Sequence, residues 1–172
     1  MRKSILCGLI ILVLTACLDK SPNKTESGQD ELKSLELENP IDKEDIEYND
    51  TMYVPIYSDI YFDEANQKTL LSATLSIRNT SYTDSLYVSK IDYFNTHGDL
   101  VKSYIDKTIS LMPMATVNYV IEREDESGGA GANFIVNLSA KTNRIKPIVQ
   151  AVMIGQSGNK GFSFATDGYS IK

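Results

Sequence analysis

Residues 51–172 predict an all-β domain, an antiparallel sandwich of seven to nine short strands. Three observations carry this. Runs rich in Tyr, Val, Ile and Thr recur between Gly, Asn, Asp and Pro clusters, at the spacing of roughly 8–12 residues typical of sandwiches. The run Leu71–Arg78 alternates strictly, with Leu71, Ala73, Leu75 and Ile77 on one side and Ser72, Thr74, Ser76 and Arg78 on the other, the pattern of a half-buried antiparallel strand. No long window after residue 50 has helical period.

The elements follow in order. Met52–Phe62 reads as one extended run, with Pro55 marking an edge strand or a bulge because proline cannot donate to a ladder. Asp63–Lys68 is a loop. After Leu71–Arg78 and a polar turn over Asn79–Asp84, Leu86–Phe94 and Leu100–Ile105 form a hairpin around Asn95-Thr96-His97-Gly98-Asp99. Ile109–Met112 is a short strand stopped by Pro113. Thr116–Glu122 and Phe134–Ala140 alternate. Ile148–Ile154 is a nearly continuous apolar run, expected at the centre of a sheet. Gln156–Lys160 turns into Gly161–Ala165, and Asp167-Gly168 turns into Tyr169–Ile171. A hairpin followed by a proline-bounded turn favours an immunoglobulin-like or fibronectin-III-like sandwich. A small closed β-barrel is the alternative.

The N-terminus reads differently. Arg2 and Lys3 precede an apolar run from Ile5 to Leu14, about half the length that spans a bilayer. A basic start, a short apolar run and small residues describe a secretory signal over residues 1–16. Leu14-Thr15-Ala16-Cys17 resembles a bacterial lipobox, which implies cleavage before Cys17, diacylglyceration of its thiol and acylation of the new amine. Two or more acyl chains anchor stably where one does not. Leu18 stands where inner-membrane retention uses aspartate, so the expected home is the cell envelope, at the outer membrane where the cell has one. Cys7 leaves with the signal, so the mature chain has no cysteine pair and its core must hold the fold unaided.

Residues 17–50 are expected to be a tether. Residues 18–50 carry eleven Asp/Glu against four Lys, whereas residues 51–172 carry twelve Asp/Glu against eleven Lys/Arg. Such an acidic, aromatic-poor stretch buries little apolar surface. As a flexible chain it spans about 30 Å. Leu32 and Leu35 can share one face of a short helix over 30–37, limited by Pro40. The domain, residues 51–172, is nearly neutral and lacks the basic stripe of a nucleic-acid binder.

The most unusual motif is the run from Glu122 to Asn133, in which four acidic residues precede three glycines. Its candidate binding residues are Asp125, Ser127, Gly128, Gly129, Gly131 and Asn133. One reading is a cation loop, yet the acids do not alternate as an EF-hand requires. Another is an anion cradle of backbone N–H groups, without the Lys-Ser/Thr ending or following helix of a phosphate loop. The plain reading is a glycine connection between strands. Gly155-Gln156-Ser157-Gly158-Asn159 imitates a nucleophile elbow but has Asn159 at the second glycine position and no helix after it. Ser157-x-x-Lys160 is a chance match. His97 is the sole histidine and builds neither a zinc site nor a catalytic triad alone. Tyr53, Tyr57 and Tyr61 could form a recognition surface.

Several stretches resemble an uncharacterised bacterial family catalogued as domain of unknown function 3124. They are Tyr53-Val54-Pro55-Ile56-Tyr57-Ser58, Ala73–Thr80, Asp92-Tyr93-Phe94 with Gly98, Ser127-Gly128-Gly129-Ala130-Gly131-Ala132-Asn133-Phe134, and Ala151–Gly155. The resemblance spans nearly all of 51–168. It implies a small secreted or lipidated protein and supplies no activity or catalytic residue. The expectation is therefore a lipid-anchored, non-enzymatic envelope protein that binds a protein or glycan partner and needs no cofactor. The alternative is a cation- or small-anion-binding module centred on 125–133.

Overall fold

The computed structural model describes residues 32–61, 68–121 and 125–172. Residues 1–16, expected as a signal, Cys17, residues 62–67 and Glu122–Glu124 lie outside these. Among the described residues, eleven strands form two antiparallel sheets that face one another without closing into a barrel. They are β1 (Tyr48–Pro55), β2 (Asp59–Tyr61), β3 (Lys68–Arg78), β4 (Leu86–Phe94), β5 (Leu100–Ser103), β6 (Ile109–Leu111), β7 (Thr116–Ile121), β8 (Asn133–Ala140), β9 (Ile148–Ser157), β10 (Lys160–Asp167) and β11 (Tyr169–Ser170). Three of them, β2, β6 and β11, are only two or three residues long. The total exceeds the seven to nine expected, although β6 and β11 fall in runs read as extended and β2 lies in the run expected as one strand with β1.

One sheet runs β11-β1-β8-β4-β5, with β6 also on β4. The other runs β10-β9-β3-β2, with β7 also on β3. Long strands thus serve two short partners each: β4 pairs β6 at Leu86–Val88 and β5 at Asp92–Phe94. The chain changes sheet repeatedly, and every change places a loop at one of two ends. The core between the sheets follows from alternation. Val54, Ile91, Tyr93, Phe134, Val136 and Leu138 point in from one sheet, and Leu71, Leu75, Ile77, Val117, Ala151 and Met153 from the other, all essentially inaccessible. Tyr104 fills one side of this core, with ring centroids 3.9 Å from Tyr119 and 6.0 Å from Phe134. A register shift in β4 between Val88 and Lys90 exposes Ser89 and Lys90 in succession, so Val88 and Ile91 both still face inward.

Three expectations need correction. Met52–Phe62 is not one strand. Pro55 ends β1, and the chain crosses to the other sheet to form β2. Nor is β1 an edge, since it pairs β8 along its length and β11 at Met52 and Tyr53. Pro55 lies beyond the β11 pairing, where its missing N–H disturbs no ladder.

Ile148–Ile154 is central in its sheet, between β10 and β3. It is covered on one face only, and Ile148, Val152 and Ile154 remain exposed.

Residues 32–50, expected as part of a tether, instead pack on the sandwich. Leu32 is 2% exposed and belongs to the core, with Leu35 packed beside it. Residues 32–34 form a helical turn. Leu37 N–H then donates to Thr108 O (2.9 Å) and Ser110 N–H to Leu35 O (2.9 Å), so the segment lies antiparallel along β6. A 3-10 turn at Lys43–Asp45 follows, and β1 starts at Tyr48. Burial of Leu32, worth about 1.5–3 kcal/mol, the partial burial of Leu35 and the backbone hydrogen bonds to β6 together hold the acidic chain on the sandwich.

Leu32→Ala is expected to cost about 2–5 kcal/mol, read as a lowered urea midpoint; an unchanged midpoint would show that the segment does not dock. Burial, and then the neighbouring Asp50 carboxylate, pushes the Tyr48 hydroxyl up to about 12. Its neutral form is therefore favoured by folding. That contribution is complete below pH 10 and is lost as pH rises towards 12. Tyr48→Phe should flatten this part of the stability–pH profile.

Candidate functional site

The glycine-rich connection runs from β7 in one sheet to β8 in the other, closing one end of the sandwich. Beside it lie the β4–β5 turn and the crossing from β1 to β2. Its conformation is dictated by Tyr93. This ring is wholly buried, so its hydroxyl needs a partner inside, and it meets Ser58 Oγ at 2.9 Å. Burial raises the Tyr93 hydroxyl above its ordinary range, opposed by the Ser58 hydrogen bond. Gly128 lies directly over this pair. A Cβ there would overlap the Tyr93 hydroxyl and come within 2.5 Å of Ser58 Oγ. Gly129 follows at φ +73°, a conformation that only glycine adopts freely.

Thr96 clamps the loop from the other side. Its N–H and its hydroxyl both donate to Gly128 O at 2.9 Å, and its Oγ1 accepts from Gly131 N–H at 2.9 Å. Ser58 N–H donates to Gly129 O (3.0 Å) and Ile56 N–H to Ala132 O (2.9 Å). The β4–β5 turn is itself fixed by Asn95, whose Oδ1 accepts from the N–H groups of His97 and Asp99, both at 2.9 Å. Gly98 supplies the positive φ, +85°.

Between these parts lies an open cleft of about 320 Å³. Its walls are Tyr61, Lys68, Asn95, Thr96, His97 and the stretch 126–130. Tyr61 is 57% exposed, and the Lys68 ammonium stands 5.6 Å from its ring centroid. Lys68 Nζ also pairs with Asp59 Oδ2 at 3.1 Å. The hydrogen bond and charge of Asp59 raise the lysine above its ordinary range. Asp59 is buried, and its second oxygen has no hydrogen-bond partner among the described residues. The cleft thus offers an aromatic face, hydroxyl and amide groups, an imidazole and one held ammonium.

Of the residues expected to bind, Ser127, Gly128 and Gly129 reach this cleft. Asp125, Gly131 and Asn133 do not line it. Asp125 Oδ1 accepts from the N–H and hydroxyl of Ser127, a local cap. Asn133 opens β8, opposite Pro55 and Phe94. The cation reading receives no support, since no three His, Cys, Asp or Glu side chains converge among the described residues. The continuous amide cradle is broken, because Ser127 N–H is taken by Asp125 and Gly131 N–H by Thr96.

His97 is an exposed turn residue, as expected. Ser157 ends β9 and pairs with Lys160 across the Gly158-Asn159 hairpin, so the strand-to-helix turn of a nucleophile elbow is replaced by a strand-to-strand one. The three tyrosines do not form one surface. Tyr53 sits on β1, Tyr57 packs edge-on to Phe164 at 5.8 Å, and Tyr61 alone enters the cleft. Tyr61, Lys68, Asn95 and Thr96 are the cleft residues the motif did not reveal. The sequence signals for them are the turn-rich Asn95–Asp99 segment and, for Tyr61, its place among the tyrosines of a possible recognition surface.

Fold and site together define an antiparallel β-sandwich whose cleft is built on a glycine-rich crossover. The chain belongs to the family described as protein of unknown function (DUF3124), whose profile matches residues 49–171. Among curated proteins none matches. A solved structure similar to part of it is the crystal structure of Thermotoga maritima 1070. That similarity has 12% sequence identity and a TM-score of 0.42, covering 70% of this chain and 92% of that one.

Gly128→Ala is expected to destabilise by about 2–4 kcal/mol through overlap with Tyr93. Tyr93→Phe alone costs about 1 kcal/mol for the lost hydrogen bond, but it vacates that space. Denaturation of the four proteins in a double-mutant cycle should show a favourable coupling; strict additivity would refute the steric account.

Proposed function

We propose that this chain is a lipid-anchored, non-enzymatic binding protein of the bacterial cell envelope. Its recognition site is the cleft beside the glycine-rich loop, and its partner is an envelope protein or glycan. The observation that carries the reading is the way the cleft is held. Thr96 bonds to both sides of the loop, and Tyr93, Ser58 and Gly128 pack behind it, so the walls are set before a partner arrives. Preorganisation lowers the ordering cost of binding. An exposed tyrosine face beside amide, hydroxyl and imidazole groups suits a polar ligand with one flat apolar side, as sugars and peptides have. The lipobox-like Leu14-Thr15-Ala16-Cys17 supports the anchor. Glu126 at the rim and the Lys68–Asp59 pair leave the cleft without a dominant charge, which favours a neutral or mixed ligand over a small anion.

Proximity labelling from the full chain in its native envelope tests this reading. Wild type should label a reproducible neighbour, and Tyr61→Ala with His97→Ala should reduce that labelling severalfold at unchanged protein level. Equal labelling by the variant would remove the cleft from consideration. Cys17→Ser should move the protein from the membrane to the soluble fraction; retention on the membrane would count against the lipid.

A further inference from the structure

One flank of the sandwich is the free side of β10. This strand has a single neighbour, β9, and at eight residues it is the longest described strand of which that is true. Its pairing with β9 fixes which backbone groups are left over. The register runs unbroken from Lys160 opposite Ser157 to Asp167 opposite Gln150, around a loop of only Gly158 and Asn159. A two-residue loop makes its closing pair a hydrogen-bonded one. At the far end Gly168 N–H donates to Val149 O (2.8 Å), in the same phase. The even-numbered residues therefore bond to β9, and Gly161, Ser163, Ala165 and Asp167 turn their N–H and C=O groups outward. All four residues are exposed, and these backbone groups have no hydrogen-bond partner among the described residues.

Nothing on β10 shields this row. The strand has no proline and no bulge, and its solvent-facing positions 161, 163 and 165 are Gly, Ser and Ala. Its other face carries Phe162 and Phe164, half-buried against the core. Soluble monomers avoid a long flat rim of this kind. The row is also complementary to itself. Let a second β10 run antiparallel with its Ala165 opposite Ser163; Gly161 then falls opposite the partner's Asp167. All four outward residues of each strand sit in hydrogen-bonded pairs, with two bonds to a pair. A slip of two residues leaves one of the four without an outward-facing partner. The two-fold axis passes beside Phe164, which meets its own copy in a close non-hydrogen-bonded pair, a favourable place for aromatic side chains. The charges agree with this direction. Lys160 stands at one end of the strand. Asp167 stands at the other, accepting from Gln150, with Asp50 and Lys172 beyond it, bonded to Ser170 Oγ and Asn49 O. Antiparallel pairing sets each Lys160 end against the partner's Asp167 end.

We propose that β10 is the interface of a two-fold homodimer, in which two copies join their β10-bearing sheets side by side into one. The occupant is a second copy because one register satisfies every outward group of both strands at once. The two-fold axis closes this contact, so association through β10 stops at two. No cleft residue lies on β10, and the pairing is independent of acylation at Cys17.

Sedimentation equilibrium tests it, on the chain from residue 17 with Cys17→Ser, which keeps every described residue and has no thiol. Loading reaches about 0.5 mM, where a Kd of about 1 mM still gives a readable dimer fraction. The mass should rise from monomer towards dimer and no further. Gly161→Glu sets a second acid against the partner's Asp167 and should weaken the dimer about fivefold. A Cβ at 161 meets only Gly155 O, at 3.9 Å, so the fold accepts the change. Adding Asp167→Lys should restore the association. Ser163→Pro removes an outward N–H that the monomer does not use and should abolish it. Circular dichroism verifies that each variant is folded, and His97→Ala should behave like the parent. Disulfide trapping reads the register. Mixed Ser163→Cys and Ala165→Cys proteins should crosslink to each other faster than either does to itself, since a hydrogen-bonded pair holds its Cα atoms about 5.5 Å apart, within disulfide reach. A monomer at every loading overturns the proposal and leaves the rim to another protein's strand. So does a dimer indifferent to both Gly161→Glu and Ser163→Pro, or mixed crosslinking no faster than self-crosslinking.

Discussion

A single buried hydroxyl organises one whole end of this protein. Tyr93 sits at the centre of the core, where its ring packs 5.6 Å from Phe134, and its oxygen cannot be left without a partner. Ser58 must therefore come to it, which fixes where the chain leaves β1 and enters the opposite sheet. The space above the pair admits no side chain, so residue 128 is glycine. Once the backbone lies that close, its carbonyls at 128 and 129 are delivered to Thr96 and Ser58, and the β4–β5 turn is drawn against the loop. With no cysteine in the domain to staple the two sheets, this polar knot and its counterpart around Asn79 do the work of closing the ends.

Much of this architecture could be read from local pattern, for a physical reason. Strands covered on one face alternate, and Leu71–Arg78, Thr116–Ile121 and Phe134–Ala140 are covered on one face. Leu86–Phe94 was recognisable as a strand, but its bulge was not, because an extra residue in a ladder has no marker in composition. The missing N–H of Pro55 is compatible with an edge strand or a bulge; in the structure Pro55 ends a strand at a sheet crossing. The docked segment at 32–47 was hidden by its charge. Its acids dominate the local composition, whereas its docking rests on Leu32, Leu35 and backbone bonds to β6, which composition does not display.

The site shows the same limit more sharply. The glycine run was conspicuous, and three of its six named residues do wall the cleft. The other walls come from Tyr61, Lys68, Asn95 and Thr96, which sit about 30 to 70 positions away along the chain. Only the alternation of the chain between two sheets brings them together, and contacts of such separation leave no periodic trace. Asp125 has the chemistry of a ligand but caps Ser127.

The segment laid along β6 has another consequence, for how copies of the protein meet. A strand at the rim of a sheet exposes a row of unpaired amides and carbonyls that invites another chain to add on. Here Leu35, Glu36 and Leu37 occupy that row on β6 through the Glu36–Ile109 bridge and its flanking hydrogen bonds, and β11, at the far rim of the same sheet, is only two residues long. The chain's own leading segment blunts that rim, and so hinders the sideways polymerisation that an open strand edge invites.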